Sequence, residues 1–207
     1  MPEAEGVIQF TLDHTVTEPF DYPVIEEPAL CHGELHKLGL ISQDDLLYHG
    51  YAFGNMSARL GESSFVISGT QTGAKSILNA NDYCLVESCD PENNRVISQG
   101  PIHPSSECMT HASIYSADPH ALAVVHVHSA EIWNNYQQLG LSFTSPDIEY
   151  GTPAMANAVT LCISEMSDLE SGCIAMLGHE DGVICFAESV QAATELTLAL
   201  FRQVTGN

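Results

Sequence analysis

Positive charge is what this chain has least of. Five lysines and arginines stand against 27 aspartates and glutamates in 207 residues, a formal net charge of −22. A surface that negative repels phosphodiester backbones and anionic lipid, which excludes nucleic-acid partners and polybasic docking on membranes. Long apolar runs are also missing: none reaches the ~18 residues that a membrane-spanning helix needs. The N-terminus, MPEAEGVIQF, has neither the basic nor the apolar segment of a secretory leader. No CxxC pair occurs among the seven cysteines, so a zinc ribbon and a thioredoxin-type motif are excluded. Cys162, Cys173 and Cys185 lie in apolar runs and read as small buried hydrophobes in a reducing compartment. The expected location is therefore cytoplasmic.

What is present suits one folded α/β domain with a real core, since 44% of the residues are hydrophobic. Residues 1–27 are acidic and carry Pro19 and Pro23, and read as an extended arm or loose segment. The domain proper is expected over 28–207. A helix is expected over 27–40, followed by an acidic turn. Short strands then fall at 51–53, 65–67, 83–86 and 95–97, separated by Gly and Asn. Pro104-Ser105-Ser106-Glu107 reads as a helix start, and Asp118-Pro119 as its stop. Residues 121–128 read as a buried strand, followed by a helix to about 139 and another over 153–166. A last strand pair (173–177, 182–186) precedes a C-terminal helix from about 188.

Chemistry concentrates at His126-Val127-His128. On a strand, residues i and i+2 share a face, so two imidazoles point one way while Val125 and Val127 point the other. Alone, such a pair reads equally well as two hydrogen-bonded histidines. Two further residues strengthen the metal reading. Glu107 opens the preceding helix, and His179 follows a later apolar strand. His126, His128, His179 and Glu107 together make a catalytic-type zinc set of three nitrogens and a carboxylate. His32 and His36 in HGELH have the glutamate one place late for a zincin helix and read as a solvated helix face. Gly54-Asn55-Met56-Ser57-Ala58-Arg59 and Ser68-Gly69-Thr70-Gln71-Thr72-Gly73 read as polar turns at strand ends, able to cradle an anion. Ser105 and Ser106 at a helix start add a third such patch.

Taken in order, GNMSAR (54–59), SGTQTG (68–73), PSSE (104–107), VVHVHS (124–129) and LGHEDGVI (177–184) resemble the class II aldolase/adducin family over about residues 28–205. The resemblance implies a three-layer α/β/α sandwich around a mostly antiparallel sheet. It implies zinc or another divalent metal on His126, His128 and His179, with Glu107 as acid/base and occasional ligand. It also implies that Asn55, Ser68, Gly69, Ser105 and Ser106 hold the substrate, and that the protein is a homotetramer. The activity implied is a metal-dependent carbon–carbon lyase: retro-aldol cleavage of a small sugar or sugar phosphate in carbohydrate metabolism. An epimerase or dehydratase using the same metal, or a non-catalytic metal-binding module, are the other readings. All four residues of the metal set are present, which favours an enzyme.

Three departures mark this chain. The stretch 128–151 is short, and Tyr150 is the nearest counterpart of a tyrosine that acts as an acid in such enzymes, with a core or surface tyrosine as the other reading. His179 is followed by Glu180-Asp181 before Gly182, where the family often has His directly before Gly. The SGTQTG turn lacks the proline common in sugar-phosphate members. Of the few cations, only Lys75 and Arg59 fall beside these motifs, which suits one anionic group and suits two poorly.

Overall fold

Short strands, several buried along their whole length, build the centre of the protein. The computed structural model describes residues 8–19, 23–166 and 170–206. In chain order its elements are strand β1 (Thr11–Val16), helix α1 (Glu26–Lys37), β2 (Ser42–Gln43), β3 (Ala52–Phe53), β4 (Asn55–Arg59), β5 (Phe65–Ser68), β6 (Tyr83–Asp90), β7 (Arg95–Gly100), α2 (Cys108–Ala117), β8 (Ala123–His128), α3 (Ala130–Asn134), β9 (Ser142–Phe143), α4 (Pro153–Ser164), β10 (Gly172–Ala175), β11 (Gly182–Ala187) and α5 (Val190–Thr205). Nine strands form one mixed sheet in the order β1-β7-β6-β5-β4-β8-β11-β10-β9. The outer pairs β1/β7 and β10/β9 are parallel, and the pairs between them are antiparallel. β2 and β3 pair separately. Among the described residues no helix is long and apolar enough to cross a membrane.

Period-two alternation sorts the strand side chains into two cores. Val124 joins Phe65, Ile67, Ile184 and Phe186 in one core, which α2 and α4 complete with Ile114 and Val159. Val125 and Val127 join Met56, Val183 and Cys185 in the other, which α1 and α5 complete with Leu35 and Leu198. Serine and threonine set the helix starts. The hydroxyls of Ser129, Thr152 and Ser189 accept the N–H groups of Ile132, Met155 and Ala192, groups a helix cannot satisfy from within.

Several expectations change here. The stretch 54–59 is not a turn: 55–59 is β4, hydrogen-bonded between β5 and β8 at the centre of the sheet. Part of the N-terminal arm, residues 11–16, is the edge strand β1, in parallel register with β7. Residues 1–7 and 20–22 of that arm lie outside the described residues. The helix expected to reach 139 stops at Asn134. Cys173 and Cys185 are not free thiols. They face each other across β10/β11 and form a disulfide, while Cys31, Cys84, Cys89, Cys108 and Cys162 are free.

β4 also fastens α2 to the sheet. The Ser57 hydroxyl meets His111 Nδ1 at 2.7 Å and the Tyr115 hydroxyl at 2.6 Å, all three side chains being buried. Burial pushes the His111 imidazole down to about 3. Arg59, expected beside an anion, instead closes the C-terminal end of α2. Its guanidinium donates to the carbonyls of Tyr115 (2.6 Å), Asp118 (3.3 Å) and Ala121 (3.2 Å) and lies over the Tyr115 ring. A cation there satisfies carbonyls the helix leaves open and complements its dipole.

This joint makes two predictions. Arg59→Ala leaves those carbonyls without their donor and lowers stability by about 2–3 kcal/mol, read as an earlier urea midpoint; an unchanged midpoint would contradict the capping role. His111 titrates near 6.5 when unfolded and near 3 when folded. The unfolded chain therefore binds the extra proton first, and stability is full above pH 6.5 and falls as pH drops toward 3, by up to about 1.4 kcal/mol per pH unit. His111→Asn should flatten that slope in urea titrations between about pH 6.5 and 4; equal slopes would rule out a buried neutral His111.

Candidate metal centre and adjoining cleft

Strand pairing brings the three histidines together. His126 and His128 stand on one face of β8, opposite Ile184 and Gly182 of β11. His126 offers Nδ1 to the Val183 carbonyl at 3.1 Å. A carbonyl only accepts, so Nδ1 carries the proton and Nε2 keeps its lone pair for another partner. His179 lies in the tight turn from β10 to β11. That turn is closed by His179 N–H to Met176 O, Gly182 N–H to His179 O and Met176 N–H to Gly182 O, each 2.9 Å. One ligand nitrogen from each of His126, His128 and His179 falls within 4.8 Å of the others, and all three residues are buried.

Two glycines make room for this turn. A Cβ on Gly182 would stand 2.9 Å from the His179 ring, and one on Gly178 only 1.8 Å from the Ile148 carbonyl. The loop through Ile148 therefore lies directly on the turn. It carries Tyr150 to the site, where its ring stacks on His179 with centroids 4.4 Å apart. Glu180-Asp181 completes the turn, with Asp181 in left-handed backbone at φ 59°. Tyr48, which no sequence signal marked, also reaches the site. Its ring packs edge-on against His128 at 4.5 Å, and its hydroxyl donates to Asp181 Oδ2 at 2.7 Å.

Most of the residues expected to hold a substrate gather next door. Asn55 sits opposite His126 in the β4/β8 register, and with Gly69, Gln71, Ser105, Ser106 and Glu107 it lines one cleft. Glu107 occupies the position just before α2, not its first turn. It is buried, accepts the Thr110 hydroxyl at 3.0 Å, and stands outside the histidine trio. Ser68 lies behind the cleft, fully buried, with its hydroxyl accepting the Met56 N–H at 3.1 Å. Neither nearby cation lines the cleft: Arg59 caps α2, and Lys75 is paired with Asp82. The HGELH face is solvated only in part, with Glu34 exposed and His36 half-buried. His32 is buried with Nε2 at 2.6 Å from the Lys75 carbonyl, and burial lowers its pKa.

The donor set fits a divalent transition metal. Imidazole nitrogen suits zinc, copper, iron and nickel, and three protein ligands with one open position is the count of catalytic zinc sites. Nitrogens around tetrahedral zinc lie roughly 3.3 Å apart, a spacing compatible with a trio held within 4.8 Å.

Comparison with known proteins agrees with this architecture. Residues 45–204 match the family described as Class II Aldolase and Adducin N-terminal domain. The structure is similar to L-fuculose-1-phosphate aldolase from Thermus thermophilus, with TM-score 0.61 and 20% identity over 83% of this chain and 86% of that one. It is also similar to a sugar-phosphate aldolase from Thermotoga maritima (TM-score 0.65, 18% identity, 86% and 90% of the two chains). YgbL from Klebsiella pneumoniae, described with aldolase, epimerase and decarboxylase as alternatives, gives TM-score 0.62 at 19% identity over 86% and 84%. At these identities the likeness is one of fold. Among curated proteins none matches significantly. The match covers most of the chain and takes in every residue of the histidine trio and the cleft, and the chain therefore belongs to the class II aldolase and adducin N-terminal domain family.

Proposed function

We propose that the protein is a zinc-dependent lyase that cleaves a small hydroxy-carbonyl compound, a sugar or sugar phosphate, by a retro-aldol reaction. The observation that carries this reading is the convergence of three buried imidazoles beside a cleft that holds a buried glutamate. His126, His128 and His179 would hold the ion, which supplies a Lewis acid for the substrate's carbonyl and neighbouring hydroxyl oxygens. Asn55 and the Ser105 and Ser106 hydroxyls orient the substrate, the Gly69 backbone lets it approach, and Ser68 braces β4 behind them. In the cleavage direction the hydroxyl proton leaves and the Cα–Cβ bond breaks into a carbonyl and an enediolate. Glu107 then delivers a proton to the carbon, and in reverse it removes one. Tyr150, stacked on His179, would take that hydroxyl proton as phenolate in cleavage and return it to the carbonyl oxygen, as the acid, in the condensation direction.

The finer family expectations belong to the same reading. The two cores on opposite faces of the sheet support a three-layer sandwich, and the assembly is proposed as a homotetramer. A cytoplasmic location is proposed on composition, with the Cys173–Cys185 disulfide set against it, because a reducing compartment keeps such pairs as thiols.

The zinc-loaded protein, offered a panel of ketoses, aldoses and their phosphates, should release a carbonyl product from at least one. Glu107→Gln should lower that turnover about 10²–10⁴-fold while the metal stays bound, because three histidines remain. His128→Ala should lose the metal. Complete metal loss in Glu107→Gln, or undiminished turnover, would contradict the division of labour. An epimerised or dehydrated product with no cleavage would replace the lyase reading.

A further inference from the structure

Non-glycine residues rarely adopt left-handed backbone, and where they do the surrounding structure must hold them there. Five do so among the described residues: Tyr48, His49, Gln71, Asn94 and Asp181. Gln71 lines the cleft, and Tyr48 and Asp181 meet beside the histidine trio. The two are 133 residues apart in sequence and joined by one hydrogen bond, Tyr48 hydroxyl to Asp181 Oδ2 at 2.7 Å.

The wiring around this bond is specific. The Tyr48 ring sits edge-on against both His128 (4.5 Å) and Phe53 (4.9 Å). Asp181 follows His179 by two residues in the same tight turn, and its carbonyl accepts the N–H of Ser129, the residue after His128. One tyrosine thus touches one histidine of the trio with its ring and holds the turn of another with its hydroxyl. Glu180-Asp181 is also where this chain departs from the pattern it otherwise resembles.

We propose that Tyr48 and Asp181 are positioning residues of the metal centre: their hydrogen bond fixes the His179 turn against His128 and so sets how tightly the trio holds its metal. This rests on the reading of the trio as a metal site. The Tyr48 hydroxyl is committed to a carboxylate and takes no chemical step. Its effect is geometric, since ligands held in place by supporting hydrogen bonds bind an ion more tightly.

Cobalt(II) titration of the metal-depleted full-length protein tests this, followed by the visible absorption of the bound ion. Tyr48→Phe keeps the ring and removes the donor. Asp181→Gly removes the acceptor and suits the left-handed backbone. Each should weaken cobalt affinity about 10–100-fold and alter the absorption band, and the double variant should be no weaker than the worse single one. Thermal unfolding of the metal-free proteins separates a merely structural role. If unfolding shifts while affinity and spectrum match the wild type, the proposal is overturned. It is also overturned if the two losses simply multiply. A wild type that takes up no cobalt would overturn the metal reading itself, and this inference with it.

Discussion

The antiparallel pairing of β8 with β11 is the constraint on which the rest of the site depends. Its register sets His128 against Gly182 and His126 against Ile184, which places the β10–β11 turn over the two histidines. The alternation that turns both imidazoles to one face sends Val125 and Val127 into the opposite core. A slip by one residue would exchange the two sets and destroy site and core together. The Val183 carbonyl, in the same pairing, also fixes which nitrogen His126 presents.

Scarcity of positive charge shapes the cleft. Arg59 is spent on the end of α2, Lys75 on Asp82 and Arg95 on Asp13, while Lys37 and Arg202 lie on the outer helices α1 and α5. No lysine or arginine lines the cleft. An anion in the cleft would meet amides, hydroxyls and backbone N–H groups beside the Glu107 carboxylate, with no cationic side chain to hold it. A chain of net charge −22 commits three of its five cations, Arg59, Lys75 and Arg95, to a helix end and to carboxylates, and puts none in the cleft.

What could be read from the sequence follows from how local each signal is. The His126/His128 pair was legible because strand periodicity alone puts both residues on one face. Glu107 was legible at the start of α2, and His179 from the apolar strand β10 that precedes its turn. β4 was missed because Asn55 and Ser57 are polar residues in a buried strand, and Ser57 is satisfied by His111 and Tyr115, far along the chain. β1 was missed because an edge strand is half exposed and its alternation is weak. The Cys173–Cys185 bond depends on the register of β10 and β11, which composition does not reveal. Tyr48 gave no signal at all, since its place is decided by a left-handed turn and by Asp181, distant in sequence.

The central claim is that the three histidines form one metal site. The most direct measurement is anomalous diffraction at the zinc absorption edge from crystals grown with zinc. One strong peak per chain is expected, enclosed by the imidazoles of His126, His128 and His179. Density only at surface carboxylates, of which this chain has many, with none among those three rings, would contradict it.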